Sequence, residues 1–140
     1  MRSIKLLMVF LVIGLFSCAK ELEVKMDDVK PNDPNLTVIS TGNFEGSRAH
    51  PSTSGKVTLS KDAAGKLFLV FENFKVDGGP DLRIYLAEDK DAKGFIELSK
   101  DVFNGNYKVS VPDGTDTVKK PYVLIWCKAF SVLFGSAKLG

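Results

Sequence analysis

The chain has 140 residues, with 19 Lys and Arg against 17 Asp and Glu, two cysteines and one histidine. This length suits one domain. Without residues 1–17, which contain two bases and no acid, 17 residues of each sign remain. We therefore expect no nucleic acid as a partner, because its binding needs a basic surplus. No small-molecule substrate is evident either.

The N-terminal segment has the layout of a secretory signal. Two bases, Arg2 and Lys5, precede an apolar stretch from Leu6 to Phe16, which is shorter than the roughly 20 residues that cross a bilayer. The small residue and cysteine that follow, Ser17-Cys18, resemble the lipobox of bacterial lipoprotein precursors. That resemblance implies a signal peptide over residues 1–17, acylation of Cys18 and membrane lipid as a partner. An ordinary secretory signal with an incidental Cys18 is the alternative.

Residues 18–35 are predicted to begin with the lipidated cysteine and continue as a flexible tether. They alternate acids and bases, contain Pro31 and Pro34, and have too little apolar content to form a core. The protein is then expected in the cell envelope, held on the outer side of a membrane by its lipid.

Residues 36–140 are predicted to form the folded domain. Short apolar runs alternate with turn residues, and no stretch sustains a helical period. The pattern predicts an all-β fold, an antiparallel β-sandwich or barrel of seven to eight short strands. The candidate strands are 36–40, 56–60, 67–74, 82–87, 95–98, 107–111, 122–128 and 131–134.

Cys127 lies in the aromatic run 122–137 and allows two interpretations. It is either a small apolar filler of the core or a redox centre kept away from bulk water. If Cys18 is acylated, Cys127 has no partner within the chain, which is uncommon in an exported protein. Strand alternation predicts that Ile125 and Cys127 face one side, and that Trp126 and Lys128 face the other.

Residue counts exclude several redox centres. The chain has no Cys-x-x-Cys motif, which excludes covalent c-type haem and thioredoxin-like dithiol exchange. A single histidine, His50, cannot build a blue-copper site. A zinc site would need Asp81 beside His50 and Cys127, so we assign no metal site, and the sequence does not identify a cofactor. His50 is expected on a loop, and residues 78–81 in a tight turn whose Asp81 side chain caps backbone N–H groups.

Several motifs together resemble the DM13 electron-transfer domain, over residues 41–139. They are Gly42-x-Phe44, His50-x-x-x-Ser54-Gly55, Leu69-x-Phe71-Glu72-Asn73-Phe74, Gly79-Pro80-Asp81-Leu82, Gly105-Asn106-Tyr107 and Ile125-Trp126-Cys127-Lys128-x-Phe130. The resemblance implies that the cysteine acts in electron transfer. It also implies that any cofactor-bearing partner is a separate molecule.

We therefore predict a membrane-anchored, extracytoplasmic electron-transfer or redox accessory module centred on Cys127, rather than a stand-alone enzyme. His50, Asp81 and Trp126 are its candidate cofactor-binding residues, and its expected partner is a redox protein. The alternative is a non-catalytic ligand- or protein-binding β module in which Cys127 fills the core.

Overall fold

The computed structural model describes residues 33–140 and the backbone of Val24–Lys25. Within these residues it contains ten strands and no α-helix, and hence no helix that could span a membrane. The strands are β1 (Val24–Lys25), β2 (Thr37–Asn43), β3 (Glu45–Gly46), β4 (Ser54–Lys61), β5 (Leu67–Lys75), β6 (Leu82–Ala87), β7 (Ile96–Ser99), β8 (Gly105–Val111), β9 (Tyr122–Cys127) and β10 (Val132–Lys138).

The strands form two five-stranded sheets that pack as a sandwich. The first sheet has the order β1-β8-β5-β4-β2 and the second the order β3-β10-β9-β6-β7. All the strand pairs are antiparallel. The predicted all-β antiparallel fold is thereby confirmed. Each of the eight predicted strands overlaps one observed strand, whereas β1 and β3, of two residues each, are too short to show a period in the sequence.

The predicted signal peptide and Cys18 lie outside the described residues, as does most of the predicted tether. Two tether residues, Val24 and Lys25, form β1 and pair with Val109 and Lys108 of β8. The tether therefore includes a short contact with the edge of the first sheet.

Aromatic rings fill the space between the sheets. Phe71 stacks on Tyr107 with ring centroids 4.5 Å apart, and Phe44 and Phe74 pack against Phe71 at 5.6 and 5.3 Å. Truncating a buried phenylalanine to alanine typically costs about 3–5 kcal/mol. These rings therefore contribute strongly to how the two sheets pack.

β9 runs through the second sheet between β6 and β10 and is apolar on both faces. Val123, Ile125 and Cys127 point inward and belong to the core between the sheets. Leu124 and Trp126 belong to a second cluster on the outer face, together with Tyr85 of β6. The predicted alternation of side chains along this strand is confirmed.

Antiparallel pairing brings one set of strand ends together at one end of the sandwich. β5 and β9 end there, and β6, β8 and β10 begin there. Most of the motifs quoted above lie on or beside the loops at this end.

Candidate functional site

Three segments at this end of the sandwich carry the candidate residues. They are residues 47–53, named here the His50 loop, residues 76–81 between β5 and β6, and residues 100–104 between β7 and β8. The last two enclose a cleft of about 420 Å³. The cleft is lined by Val76, Asp77, Gly78, Gly79, Pro80, Asp81, Leu82, Lys100, Asp101, Val102, Phe103 and Asn104.

His50 lies on a loop, as predicted, and packs face to face on Phe134 of β10. The two ring centroids are 3.5 Å apart and the rings are inclined by 10°. Nδ1 of His50 lies 3.9 Å from a carboxylate oxygen of Asp77, which lines the cleft. The imidazole thus lies between the core ring and the polar edge of the cleft.

The His50 loop is fixed at both of its ends by the same carbonyl group. The Ser47 N–H donates a hydrogen bond to the Phe134 carbonyl oxygen at 2.9 Å, and the Thr53 hydroxyl donates to that oxygen at 3.0 Å. The loop also approaches Gly46 so closely that a Cβ there would collide with the His50 carbonyl oxygen and lie 2.6 Å from the Pro51 Cα. Gly46 is therefore required for the position of His50, although no motif in the sequence singled it out.

Asp81 is held in an ion-pair network. Its carboxylate accepts a hydrogen bond from Arg83 Nε at 2.6 Å, and Arg83 Nη1 donates to Glu97 on β7 at 2.9 Å. The Arg83 hydrogen bond holds the pKa of Asp81 below its usual range, and the Asp81 carboxylate raises the pKa of Arg83. The prediction that Asp81 caps backbone N–H groups is wrong, because the arginine two residues on lies within reach of the carboxylate.

The same network continues to the end of β9. The Lys128 N–H donates to the Asp81 carbonyl oxygen at 2.9 Å, and Lys128 Nζ lies 3.9 Å from Glu97. The network therefore connects three elements, which are the beginning of β6, strand β7 and the end of β9. Its members are Asp81, Arg83, Glu97 and Lys128. This network fixes the backbone immediately after Cys127.

Cys127 is completely buried. Its exposed fraction is 0%, and within the described residues it has no disulfide partner. Its neighbours across the sheet are Leu82 on β6 and Val132 on β10. Leu82 both lines the cleft and packs against the core cluster that contains Cys127. This leucine therefore lies at the boundary between the cleft and the part of the core that holds the thiol.

The candidate residues lie at one end of the domain without forming one cluster. Cys127 points into the core, Asp81 is paired with Arg83, and Trp126 lies on the outer face beside Tyr85. Within residues 33–140, no group of three or more His, Cys, Asp or Glu side chains is arranged to hold a metal ion. A zinc site made of His50, Asp81 and Cys127 is therefore not assembled in this conformation. The roles of Leu82, Arg83 and Phe134 depend on contacts with distant segments, which no sequence motif indicates.

Replacing Gly46 by alanine should displace the His50 loop, because the clashing atoms belong to the backbone and cannot rotate away. We expect Gly46→Ala to lower the free energy of unfolding by about 1–3 kcal/mol. The proton NMR signals of His50, the only histidine, should lose the ring-current shift due to Phe134. The control is Gly78→Ala, where a Cβ meets open space. Unchanged His50 signals in Gly46→Ala would contradict this role of Gly46.

The lowered pKa of Asp81 predicts a dependence of stability on acidic pH. A carboxyl group with a depressed folded-state pKa stabilises the protein above its unfolded value, near 3.9, and this stabilisation disappears as the pH falls through the folded value. Between about pH 5 and about pH 3, the urea midpoint should therefore fall less in Asp81→Asn than in the wild type. The matched control is Asp113→Asn, on an exposed turn. Equal pH profiles of Asp81→Asn and wild type would exclude this contribution.

Comparison with known proteins connects this geometry to a family. A family model described as "Electron transfer DM13" matches residues 43–139, which include His50, Asp81, Trp126 and Cys127. No curated protein and no solved structure matches the chain. The match confirms the resemblance found in the motifs and indicates a redox-related role. With more than half of its residues matched, the chain belongs to the DM13 family of electron-transfer domains.

Proposed function

We propose that this domain is a membrane-anchored, extracytoplasmic electron-transfer or redox accessory module centred on Cys127. The observation that carries the proposal is the position of the thiol. In a domain that matches an electron-transfer family, the cysteine ends the strand β9 beside Leu82, which lines a cleft at the end that also carries His50. The module serves a redox partner protein and does not turn over a substrate by itself.

Burial of the sulfur favours electron transfer over covalent exchange. Disulfide exchange requires direct attack between sulfur atoms, and a sulfur with an exposed fraction of 0% is out of reach of another protein. An electron, in contrast, can tunnel through a few ångströms of packed protein. In the proposed step the Cys127 sulfur gives one electron to the oxidised metal centre of a partner protein. The S–H bond breaks, and its proton passes to water in the cleft.

Two features control how the proton leaves the thiol in this step. They are the Leu82 side chain and the edge of the cleft beside Asp77 and His50. Movement of the Leu82 side chain admits water from the cleft to the thiol. The water carries the proton to the open edge of the cleft, beside Asp77 and His50. A reduced partner later returns one electron to the sulfur, and a proton from water restores the thiol.

A binding module without redox chemistry is the second candidate function. It is supported by the position of Cys127 among apolar core residues such as Ile125, where a thiol packs like a small hydrocarbon. The cleft would then hold a ligand or a partner segment, and Cys127 would contribute packing alone.

Thiol labelling separates the two functions. In full-length protein carrying Cys18→Ser, Cys127 is the only thiol. We expect a neutral alkylating reagent to modify native Cys127 faster than global unfolding allows, through local opening at the cleft. Leu82→Ala should increase this rate by about tenfold, equivalent to about 1.4 kcal/mol.

The control for Leu82→Ala is Leu98→Ala, which truncates a core leucine that does not line the cleft. Both variants lose buried area, so labelling rates are compared after each free energy of unfolding has been measured. If global unfolding limits the labelling rate in the parent protein, in Leu82→Ala and in Leu98→Ala alike, the result supports the binding module and contradicts the redox function.

We also propose that acylation of Cys18 anchors the domain in the cell envelope. The proposal rests on the apolar stretch, Ser17 and Cys18. Each buried methylene of an acyl chain contributes about 0.8 kcal/mol, so several chains hold a protein permanently.

The anchor is tested in the bacterial host. Cys18→Ala should abolish incorporation of labelled fatty acid and release the protein from the membrane fraction. Ser17→Ala, which keeps a small residue before the cysteine, serves as the control and should remain acylated. Membrane association that persists in Cys18→Ala would show that another feature holds the protein there.

A further inference from the structure

Trp126 is the aromatic residue next to the buried thiol in the chain. It is the only tryptophan in the protein, and it is partly exposed on the outer face of the second sheet. Its neighbours across the sheet are Arg83 on β6 and Leu133 on β10. Because successive strand residues point to opposite faces, the indole and the sulfur lie on the two sides of one strand.

The indole is part of a row of aromatic rings. Tyr85 packs against Trp126 with ring centroids 6.3 Å apart, and Phe95 stacks on Tyr85 at 4.3 Å. Phe95 is 48% exposed, whereas Tyr85 is 2% exposed. The row therefore extends across the outer face from Trp126 to an exposed ring beside β7.

Of these rings, the indole is best suited to carry an electron. Burial raises the pKa of Tyr85, so this phenol is neutral and must lose a proton when it is oxidised. An indole can give up an electron and exist briefly as a radical cation without losing a proton at the same moment. Phenylalanine is much harder to oxidise than either.

We propose that Trp126 relays the electron between a redox partner at the outer face of the second sheet and the sulfur of Cys127. This inference rests on the proposed redox function. The two residues are adjacent, with Cα atoms about 3.8 Å apart, and the sulfur itself has no exposed surface. The relay lets a partner exchange electrons with Cys127 without entering the core.

Electrons and protons balance in this relay. The oxidised metal centre of the partner takes one electron from the Trp126 indole. The resulting indole radical cation takes one electron from the Cys127 sulfur, whose proton goes to water in the cleft. Trp126 is restored, and the net result is one electron transferred from sulfur to partner. The electron leaves by the outer face of the sheet and the proton by the end of the sandwich.

Flash oxidation tests the relay in the full-length chain carrying Cys18→Ser. The probe is photogenerated tris(bipyridine)ruthenium(III), a one-electron oxidant too large for the core. In the parent protein we expect an indole radical signal that decays as Cys127 is oxidised, with the product identified by mass spectrometry. Trp126→Phe should lower the yield of oxidised Cys127 by about tenfold, since the alternative path lacks an oxidisable ring next to the sulfur.

Two further variants separate a relay from a purely structural role. Tyr122→Phe changes another aromatic residue of β9 that packs with the outer cluster, and it should leave the yield unchanged. Trp126→Tyr keeps an oxidisable ring and should retain more of the yield than Trp126→Phe. If Trp126→Phe does not fold, the yield of oxidised Cys127 in Trp126→Tyr is compared with that of the parent protein instead.

The outcomes distinguish this inference from the function on which it rests. Equal yields in Trp126→Phe and the parent protein would overturn the relay and leave the redox role of Cys127 in place. An indole radical that decays in the parent protein without any oxidation of Cys127 would overturn both.

Discussion

The alternation of side chains along one central strand is the constraint on which the rest of this structure depends. β9 lies between β6 and β10, so its backbone hydrogen bonds are made on both sides and its residues alternate strictly between the faces of the sheet. Cys127 must therefore point into the core if Ile125 does, and Trp126 must point outward. The burial of the thiol and the partial exposure of the indole both follow from this alternation along β9.

The polar and charged groups of the candidate site lie at the end of the sandwich, outside the apolar core. The His50 loop is held to the Phe134 carbonyl by two hydrogen bonds, and the imidazole lies on the Phe134 ring beside Asp77. Asp81, which lines the same cleft, pairs with Arg83, and its carbonyl oxygen accepts a hydrogen bond from the Lys128 N–H at the end of β9. The end of the sandwich next to the thiol is thus held in place by ion pairs and by backbone hydrogen bonds.

The complete burial of Cys127 affects covalent chemistry and electron transfer at the sulfur in different ways. Burial protects the sulfur from covalent attack, and electron transfer requires only that donor and acceptor be close. Two residues connect the buried sulfur with its surroundings. Leu82 lies at the boundary between the core and the cleft, and Trp126 presents an oxidisable ring on the outer face of the sheet.

The sequence by itself determined the elements that depend on local pattern. Short apolar runs between turn residues identified eight strands, period-two alternation assigned the faces of Ile125, Trp126 and Cys127, and the motifs identified the family. Only the tertiary structure decided the contacts between distant segments. Phe134 lies against His50 because the close approach at Gly46 and two hydrogen bonds to the Phe134 carbonyl place the loop on a strand 84 residues away. Arg83 reaches Glu97 because β6 and β7 pair with a shift in register between Ile84 and Tyr85. Such contacts depend on strand register and sheet packing, which local pattern does not encode.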